Sequence, residues 1–340
     1  MDRGDARAVR ARTRIALTIA GSDSGGGAGI QADLKTFAAL GVYAASAITA
    51  LTAQNTRGVS AIHLAPGEIV AAQIEAVLAD FDVAAIKIGM LGSAEIVGAV
   101  ADSLVGDPSS GPSGHLLPQS PSKTGVLRTP YAGEGERPLS RIARQKDGRS
   151  IEPPARERAG VRAFVIYDPV MIASSGDALA GDGFVDAIKA RLLPLVDCLT
   201  PNLAEAAALL GAPLAQDEAE MARQGAALLE LGPRAVLMKG GHLAGAEAVD
   251  LLVAADAVHR VAAPRLASRN LHGTGCTLSS AIAAYVVLGL ELAEAVGQAK
   301  EFVRAAIEAG SGVKLGGGAG PLIQARLRQS RRFSSPGRSS

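Results

Sequence analysis

The residues best suited to chemistry lie in one glycine-containing stretch, residues 270–278, which reads Asn-Leu-His-Gly-Thr-Gly-Cys-Thr-Leu. Gly273 and Gly275 flank Thr274 directly before an apolar run that predicts a buried helix. The first N–H groups of a helix lack intrahelical acceptors, and the helix dipole adds partial positive charge there. The stretch therefore predicts a phosphoryl-stabilising loop with the Cys276 thiol at its rim. A plain glycine-rich helix start with a small buried cysteine is the simpler alternative.

Four further candidate residues each follow a predicted strand. They are Asp168, Asn202, Glu205 and Lys239. Ligands of parallel α/β sheets bind beyond the carboxyl ends of the strands, so these side chains are expected to share one edge. Two carboxylates there suit a hydrated Mg²⁺ on a nucleotide, and a lysine before two glycines suits phosphate. Asn202 is expected to cap the helix that carries Glu205. The simpler alternatives are a strand-end acid at Asp168, a capping-box acid at Glu205 and a solvated lysine at Lys239.

A strand, a glycine loop and a helix open the chain. The predicted strand covers residues 15–20, the loop 21–29 and the helix 30–40. A dinucleotide-binding fold would need an acidic residue at the end of the second strand, and none is present there. Asp33 at the helix start and Gln54 at a strand end could together recognise a flat polar ring. Taken singly, each is equally typical of an exposed helix acid or a loop amide.

The remaining pattern alternates strands with helices, and the strands are continuous apolar runs. This predicts a mostly parallel sheet covered on both faces. Residues 249–253 and 258–262 read as a hairpin, which predicts an antiparallel edge. We expect one α/β domain of about nine strands over residues 15–323. Residues 105–160 are rich in Pro, Gly, Ser and Arg and lack periodicity, which predicts a low-complexity insertion.

Charge and composition indicate which classes of molecule the protein is expected to bind. Of the 340 residues, 48% are apolar, and the formal net charge is +1. Residues 1–14 carry five Arg against two Asp, and residues 324–340 carry five Arg and no acid, which predicts disordered basic tails. The remaining domain is acidic, which argues against nucleic-acid binding. The two cysteines and the lack of a membrane-length apolar run predict a cytoplasmic protein without a membrane partner.

Several stretches, in this order, resemble the hydroxymethylpyrimidine/phosphomethylpyrimidine kinases of thiamine biosynthesis, within the ribokinase-like superfamily. The matching stretches are residues 20–35, 48–56, 87–91, 168–171, 200–205, 238–242 and 272–276. The resemblance implies a three-layer α/β sandwich. It also implies transfer of the ATP γ-phosphoryl group to the hydroxymethyl oxygen of the pyrimidine, then a second transfer that gives the pyrophosphate. It further implies Mg²⁺ and a homodimer.

The resemblance also assigns roles by position. The implied pyrimidine-binding residues are Gly21, Asp33, Gln54 and Met90. The residues implied to bind Mg²⁺ are Asp168 and Glu205, and those implied to bind ATP are Asn202, Lys239 and Thr274. The implied catalytic residues are Gly273, Thr274, Gly275, Lys239 and Cys276. Cys276 stands where many ribokinase-like sugar kinases have Asp. A thiol at a helix N-terminus is expected to have a lowered pKa and to accept the hydroxyl proton. A pyridoxal kinase and a non-catalytic pyrimidine-binding protein are the alternative functions.

Overall fold

The computed structural model describes residues 13–106, 163–171, 183–241 and 243–324. The predicted tails and the predicted insertion therefore lie almost entirely outside the described residues. At the near edge of the insertion, Val105 is the last residue of a helix and Gly106 is its left-handed C-cap. The helix before the insertion thus continues slightly further than the sequence pattern predicts.

Strands and helices alternate along the described chain, as predicted. The strands are β1 (Ile15–Asp23), β2 (Ala44–Asn55), β3 (Gly58–Leu64), β4 (Val83–Ile88), β5 (Phe164–Tyr167), β6 (Cys198–Leu199), β7 (Ala235–Lys239), β8 (Glu247–Ala254) and β9 (Val258–Pro264). The helices are α1 (Gly29–Leu40), α2 (Gly67–Asp80), α3 (Ala94–Val105), α4 (Phe184–Ala187, continued by a π-helical turn at Ile188–Leu192), α5 (Leu203–Leu210), α6 (Glu218–Leu229), α7 (Thr274–Val287) and α8 (Leu292–Gly310).

One nine-stranded sheet runs through the described residues in the order β3-β2-β1-β4-β5-β6-β7-β8-β9. The strands from β2 to β7 in this order are parallel, whereas β3, β8 and β9 each pair antiparallel with a neighbour. The predicted antiparallel edge is confirmed at β8 and β9. The second antiparallel edge, β3, was missed, because its largely exposed residues give no alternation of apolar and polar side chains.

The first strand is also longer than predicted. β1 continues through Gly21 to Asp23, with a register shift between Ala20 and Ser22. The shift lets the strand keep its pairing with β2 while the chain approaches the glycine loop. The predicted loop over residues 21–29 is therefore shorter than the glycine content suggests.

Helices cover both faces of the sheet and complete three layers. Helices α2 to α6 pack on one face around Ile, Leu and Val side chains, and α1, α7 and α8 pack on the other. Small strand residues, including Ala16, Ala85 and Ala235, face the second group, so α7 can approach the sheet closely. Most of α7 is buried, as predicted. Its first turn lies beside Asp168, which follows β5, and Lys239, the last residue of β7.

Candidate active site

A charged cluster lies at the carboxyl ends of β5, β6 and β7. Lys239 Nζ lies 2.6 Å from Asp168 Oδ1 and 3.8 Å from Glu205 Oε2. Thr200 Oγ1 lies 3.4 Å from the same Asp168 oxygen. The structure therefore brings together two carboxylates and a lysine that lie far apart in the sequence, as the strand-end positions predict.

Asn202 and Glu205 hold each other at the start of α5. The Glu205 N–H donates to Asn202 Oδ1 at 2.9 Å, and the Asn202 N–H donates to Glu205 Oε2 at 2.7 Å. This reciprocal capping box confirms the predicted cap at Asn202, and it is the structural alternative considered for Glu205. Burial raises the pKa of Glu205 to about 7; Lys239 opposes this rise and Asp168 reinforces it. The Glu205 carboxyl thus combines a capping role with a place in the charged cluster.

The first turn of α7 contacts this cluster through Gly275. A Cβ atom added to Gly275 would lie 3.2 Å from Lys239 Nζ and 3.4 Å from Asp168 Oδ2. Ser279, one turn further on, places its hydroxyl 3.5 Å from Asp168 Oδ2. The Thr274 hydroxyl donates to the Leu271 carbonyl at 2.6 Å and so shapes the turn before the helix. The predicted phosphoryl-stabilising loop and the predicted phosphate lysine therefore adjoin each other.

The two glycine segments of the chain pack directly against each other. Gly273 has φ = 84°, and a Cβ atom there would lie 1.8 Å from the Gly27 carbonyl oxygen, so only glycine fits. Asp23 Oδ2 accepts the N–H groups of Gly27 and Ala28 and lies 3.1 Å from His272 Nε2. The Asp23–His272 contact thus joins the loop after β1 to the loop before α7.

Asp33 occupies a different environment from the one expected. Its side chain is fully buried, and its carboxylate accepts from Thr18 Oγ1 at 2.6 Å, Lys87 Nζ at 3.0 Å and Ser280 Oγ at 2.6 Å. It is neither an exposed helix acid nor, in this structure, open to a ring. Burial acts to lower the pKa of Lys87, but Asp33, Cys276 and Asp168 raise it overall.

Cys276 also differs from the expectation. Burial raises the pKa of its thiol to about 11; Lys87 opposes the rise, and Asp33 and Asp168 reinforce it. The predicted lowering of this pKa was wrong, because burial and two nearby carboxylates outweigh the nearby lysine charge and the helix terminus. Part of the residue still reaches the surface, in the first turn of α7 beside Gly275.

The residues predicted to bind the ring lie around the ends of β1, β2 and β4. A Cβ atom on Gly21 would lie 3.2 Å from Met90 Sδ, and Met90 is only 8% exposed. The Gln54 amide lies between two polar side chains: Oε1 is 3.1 Å from Thr52 Oγ1, and Nε2 is 3.4 Å from His272 Nε2. The structure thus pairs Gly21 with Met90 and connects Gln54 to the loop before α7.

Comparison with known proteins decides the family. The model of the phosphomethylpyrimidine kinase family matches residues 23–111 and 154–323. A hydroxymethylpyrimidine/phosphomethylpyrimidine kinase of Rhizobium meliloti is 48% identical over 91% of this chain and 96% of its own length. The chain belongs to the phosphomethylpyrimidine kinase family.

Solved structures agree on the ribokinase-like architecture of this family member. A phosphomethylpyrimidine kinase from Clostridium difficile is 36% identical, with a TM-score of 0.63, over 87% of this chain and all of that one. A Staphylococcus aureus pyridoxal kinase, in complex with AMP-PCP and pyridoxal, is 27% identical, with a TM-score of 0.70, over 94% and 96% of the two chains. The predicted three-layer sandwich and the predicted kinase class are thereby confirmed. Among the described residues, none of the helices is long and apolar enough to cross a membrane.

Three residues that sequence reasoning left without a role contact the predicted site residues or each other. Asp23 and His272 lie inside the stretches that carry the family resemblance, and an Asp two residues before a run of glycines is typical of an Asx turn. Lys87 sits in a strand that is buried throughout, where a charged residue requires a partner. These signals could have identified the residues, but not the partners that they contact.

Proposed function

We propose that this chain transfers the γ-phosphoryl group of ATP to the hydroxymethyl oxygen of 4-amino-5-hydroxymethyl-2-methylpyrimidine, and then phosphorylates the monophosphate to the pyrophosphate. The observation that carries the proposal is the position of Gly275 against the Lys239–Asp168 pair at the first turn of α7. The names of the relatives, which cover both pyrimidine substrates, support the same reaction.

The proposed transfer depends on positioning and charge. The hydroxymethyl oxygen forms a bond to the γ-phosphorus while the bond to the bridging oxygen breaks and ADP leaves. Lys239 and the N–H groups of the Gly273–Thr274–Gly275 turn stabilise the charge on the transferring group. Asn202 fixes the start of α5 beside the nucleotide. Cys276 is the proposed proton acceptor. Because its pKa is raised, only the small fraction of the protein that carries a Cys276 thiolate can take up the proton in this way.

Asp168 and Glu205 are the proposed Mg²⁺ residues. Magnesium commonly uses one or two carboxylates, phosphate oxygens and waters, and a carboxylate pair beside Lys239 fits that donor set. Within the described parts of the chain, no group of three or more His, Cys, Asp or Glu side chains forms a complete metal cage. The ion, when bound with the nucleotide, would neutralise phosphate charge.

Gln54, Gly21 and Met90 are the proposed ring-binding residues, and Asp33, through its contacts with Thr18, Lys87 and Ser280, is proposed to support the site. A pyridoxal kinase is not favoured, because the pyrimidine kinase from Rhizobium meliloti is 48% identical and the Staphylococcus aureus pyridoxal kinase is 27% identical. A binder without catalytic activity has no need of a lysine and a helix terminus at a phosphate position. A cytoplasmic homodimer remains our expectation for the assembled enzyme.

A coupled ADP-release assay tests the proposal. We expect turnover with the aminopyrimidine, a second turnover with its monophosphate, and at most slow turnover with pyridoxal. Lys239→Met should abolish most of the activity, since the charge beside the transferring group is lost. ADP release with pyridoxal but not with the aminopyrimidine would contradict the proposed specificity. ADP release in the absence of any hydroxymethyl substrate would contradict it as well.

A further inference from the structure

The Gln54 amide is held between two polar pairs. On one side lies His272, with Asp23 beyond it; on the other lies Thr52, with the Ser22 carbonyl beyond it. A half-turn of an amide exchanges its oxygen and its NH₂ group while filling the same space. The hydrogens of the neighbouring groups therefore decide which atom faces which neighbour.

The histidine side requires the Gln54 oxygen. Asp23 Oδ2 lies 3.1 Å from His272 Nε2. Burial acts to raise the pKa of Asp23, but the hydrogen bonds from His272 and from the N–H groups of Ala28 and Gly25 lower it overall. The carboxylate is therefore ionised and can only accept, so the shared hydrogen lies on His272 Nε2. A nitrogen that carries this hydrogen cannot accept from Gln54, and it therefore faces Oε1.

The threonine side requires the Gln54 nitrogen. A hydroxyl group has one hydrogen, and Thr52 Oγ1 donates it to the Ser22 carbonyl oxygen at 3.0 Å, because a carbonyl can only accept. Thr52 Oγ1 then offers only lone pairs to the amide atom 3.1 Å away. An NH₂ group is the partner that these lone pairs need. Both neighbours therefore select the same amide orientation. It is the reverse of the one in which Oε1 lies beside Thr52 and Nε2 lies beside His272, and a half-turn of the amide converts one into the other.

We propose that the Asp23–His272 and Ser22–Thr52 pairs lock the Gln54 amide with its oxygen toward His272 and its nitrogen toward Thr52, so that His272 is the positioning residue for recognition of an aminopyrimidine edge. The locked amide keeps one oxygen lone pair and one N–H side by side. This pair matches an exocyclic amino group, which donates, and the adjacent ring nitrogen, which accepts. An oxo group in place of the amino group would face the amide oxygen without a hydrogen. The inference rests on the proposed function, in which Gln54 meets the pyrimidine.

The test compares two rings that differ at one position. Calorimetry without ATP gives Kd for the aminopyrimidine and for its 4-oxo analogue, with wild type, His272→Leu and His272→Gln. Leucine keeps bulk in a tightly packed position, where a Cβ on Gly27 would lie 2.4 Å from the His272 ring. We expect His272→Leu to reduce the preference for the amino ring by roughly ten- to a hundredfold. His272→Gln should keep most of it, because its NH₂ group can donate to both Asp23 and Gln54.

Repeating the comparison in a Gln54→Ala protein distinguishes a role of His272 in positioning the amide from a role in packing. If His272 acts through the amide, His272→Leu should not change the ratio of the two Kd values further in a Gln54→Ala protein. Equal loss of affinity for both rings, or a further change of the ratio in the Gln54→Ala background, would overturn the proposal. Both rings are measured on one protein preparation, so a reduced folded fraction cancels from the ratio. If the wild-type protein binds neither ring, the proposed function is wrong. If the wild-type protein prefers the amino ring and the His272→Leu protein keeps that preference, only the inference about His272 is wrong.

Discussion

At the scale of single residues, Cys276 shows how neighbours override a local rule. A cysteine at the first turn of a helix is expected to be acidic. Here burial, Asp33 and Asp168 favour the neutral thiol, and they outweigh Lys87, which favours the thiolate. The pKa in the folded protein, about 11, lies above the ordinary value of 9.0. The thiol therefore adds no pH dependence to stability below about pH 9, and stability falls as pH rises further, since the unfolded chain ionises first.

The raised pKa of Cys276 predicts its reactivity. Alkylation by iodoacetamide should accelerate about tenfold per pH unit from about pH 7 to about pH 10, because only the thiolate reacts. If Cys276 accepts the substrate proton, kcat of the wild type should rise over the same range, whereas kcat of Cys276→Ala should be low and nearly flat. The Cys276→Ala protein also reports any background alkylation of Cys198, whose burial raises its pKa to about 12. An alkylation rate that levels off near pH 8 would contradict this assignment.

At the scale of elements, the loops after β1 and before α7 form one unit. Gly273 permits the left-handed turn and the close approach to Gly27, and Asp23 collects N–H groups from one loop while it contacts His272 in the other. A substitution in either loop should therefore alter the conformation of both loops. Gly275, only two residues away from Gly273, is instead helical and faces the charged cluster.

Two matched substitutions distinguish these glycines. Gly273→Ala should lower Tm by several degrees and abolish activity, since it combines about 1 kcal/mol of left-handed strain with a clash against Gly27. Gly275→Ala should leave Tm unchanged or slightly raised, because alanine is a better helix former. Its kcat should nevertheless fall by about tenfold, because the added methyl group displaces Lys239. Thermal unfolding and kcat measured on both variants provide the check; equal effects on Tm would show that the glycines are interchangeable.

Sequence patterns predicted the elements better than their contacts. Continuous apolar runs identified the parallel strands, since burial on both faces leaves that pattern. The exposed strand β3 left no such pattern and was missed. The cluster of Asp168, Glu205 and Lys239 followed from the rule that strand ends share an edge. The Asp23–His272 contact joins residues 249 positions apart and could not be read from spacing, and the environment of Asp33 depended on partners from three other elements.

At the scale of the whole molecule, the topology separates the site from the two described residues that border the predicted insertion. β4 and β5 are parallel neighbours, so the helix between them begins at the carboxyl ends of the strands and ends near the amino end of β5. Gly106 and Ala163, which border the undescribed segment, therefore lie toward the edge of the sheet opposite Asp168 and Lys239. The family model likewise leaves residues 112–153 between its two matched stretches.

This placement predicts that most of the segment is dispensable. Replacing residues 107–160 by a short Gly/Ser linker should leave Tm and kcat nearly unchanged, because the segment lacks apolar periodicity and attaches away from the chemistry. The matched control starts the replacement at residue 101, which removes the last turn of α3 together with the buried Ala101, and this protein should lose stability. Thermal unfolding and the ADP-release assay compare the two. Loss of folded protein or a large fall in kcat on replacing 107–160 alone would show that the segment belongs to the fold or to the site.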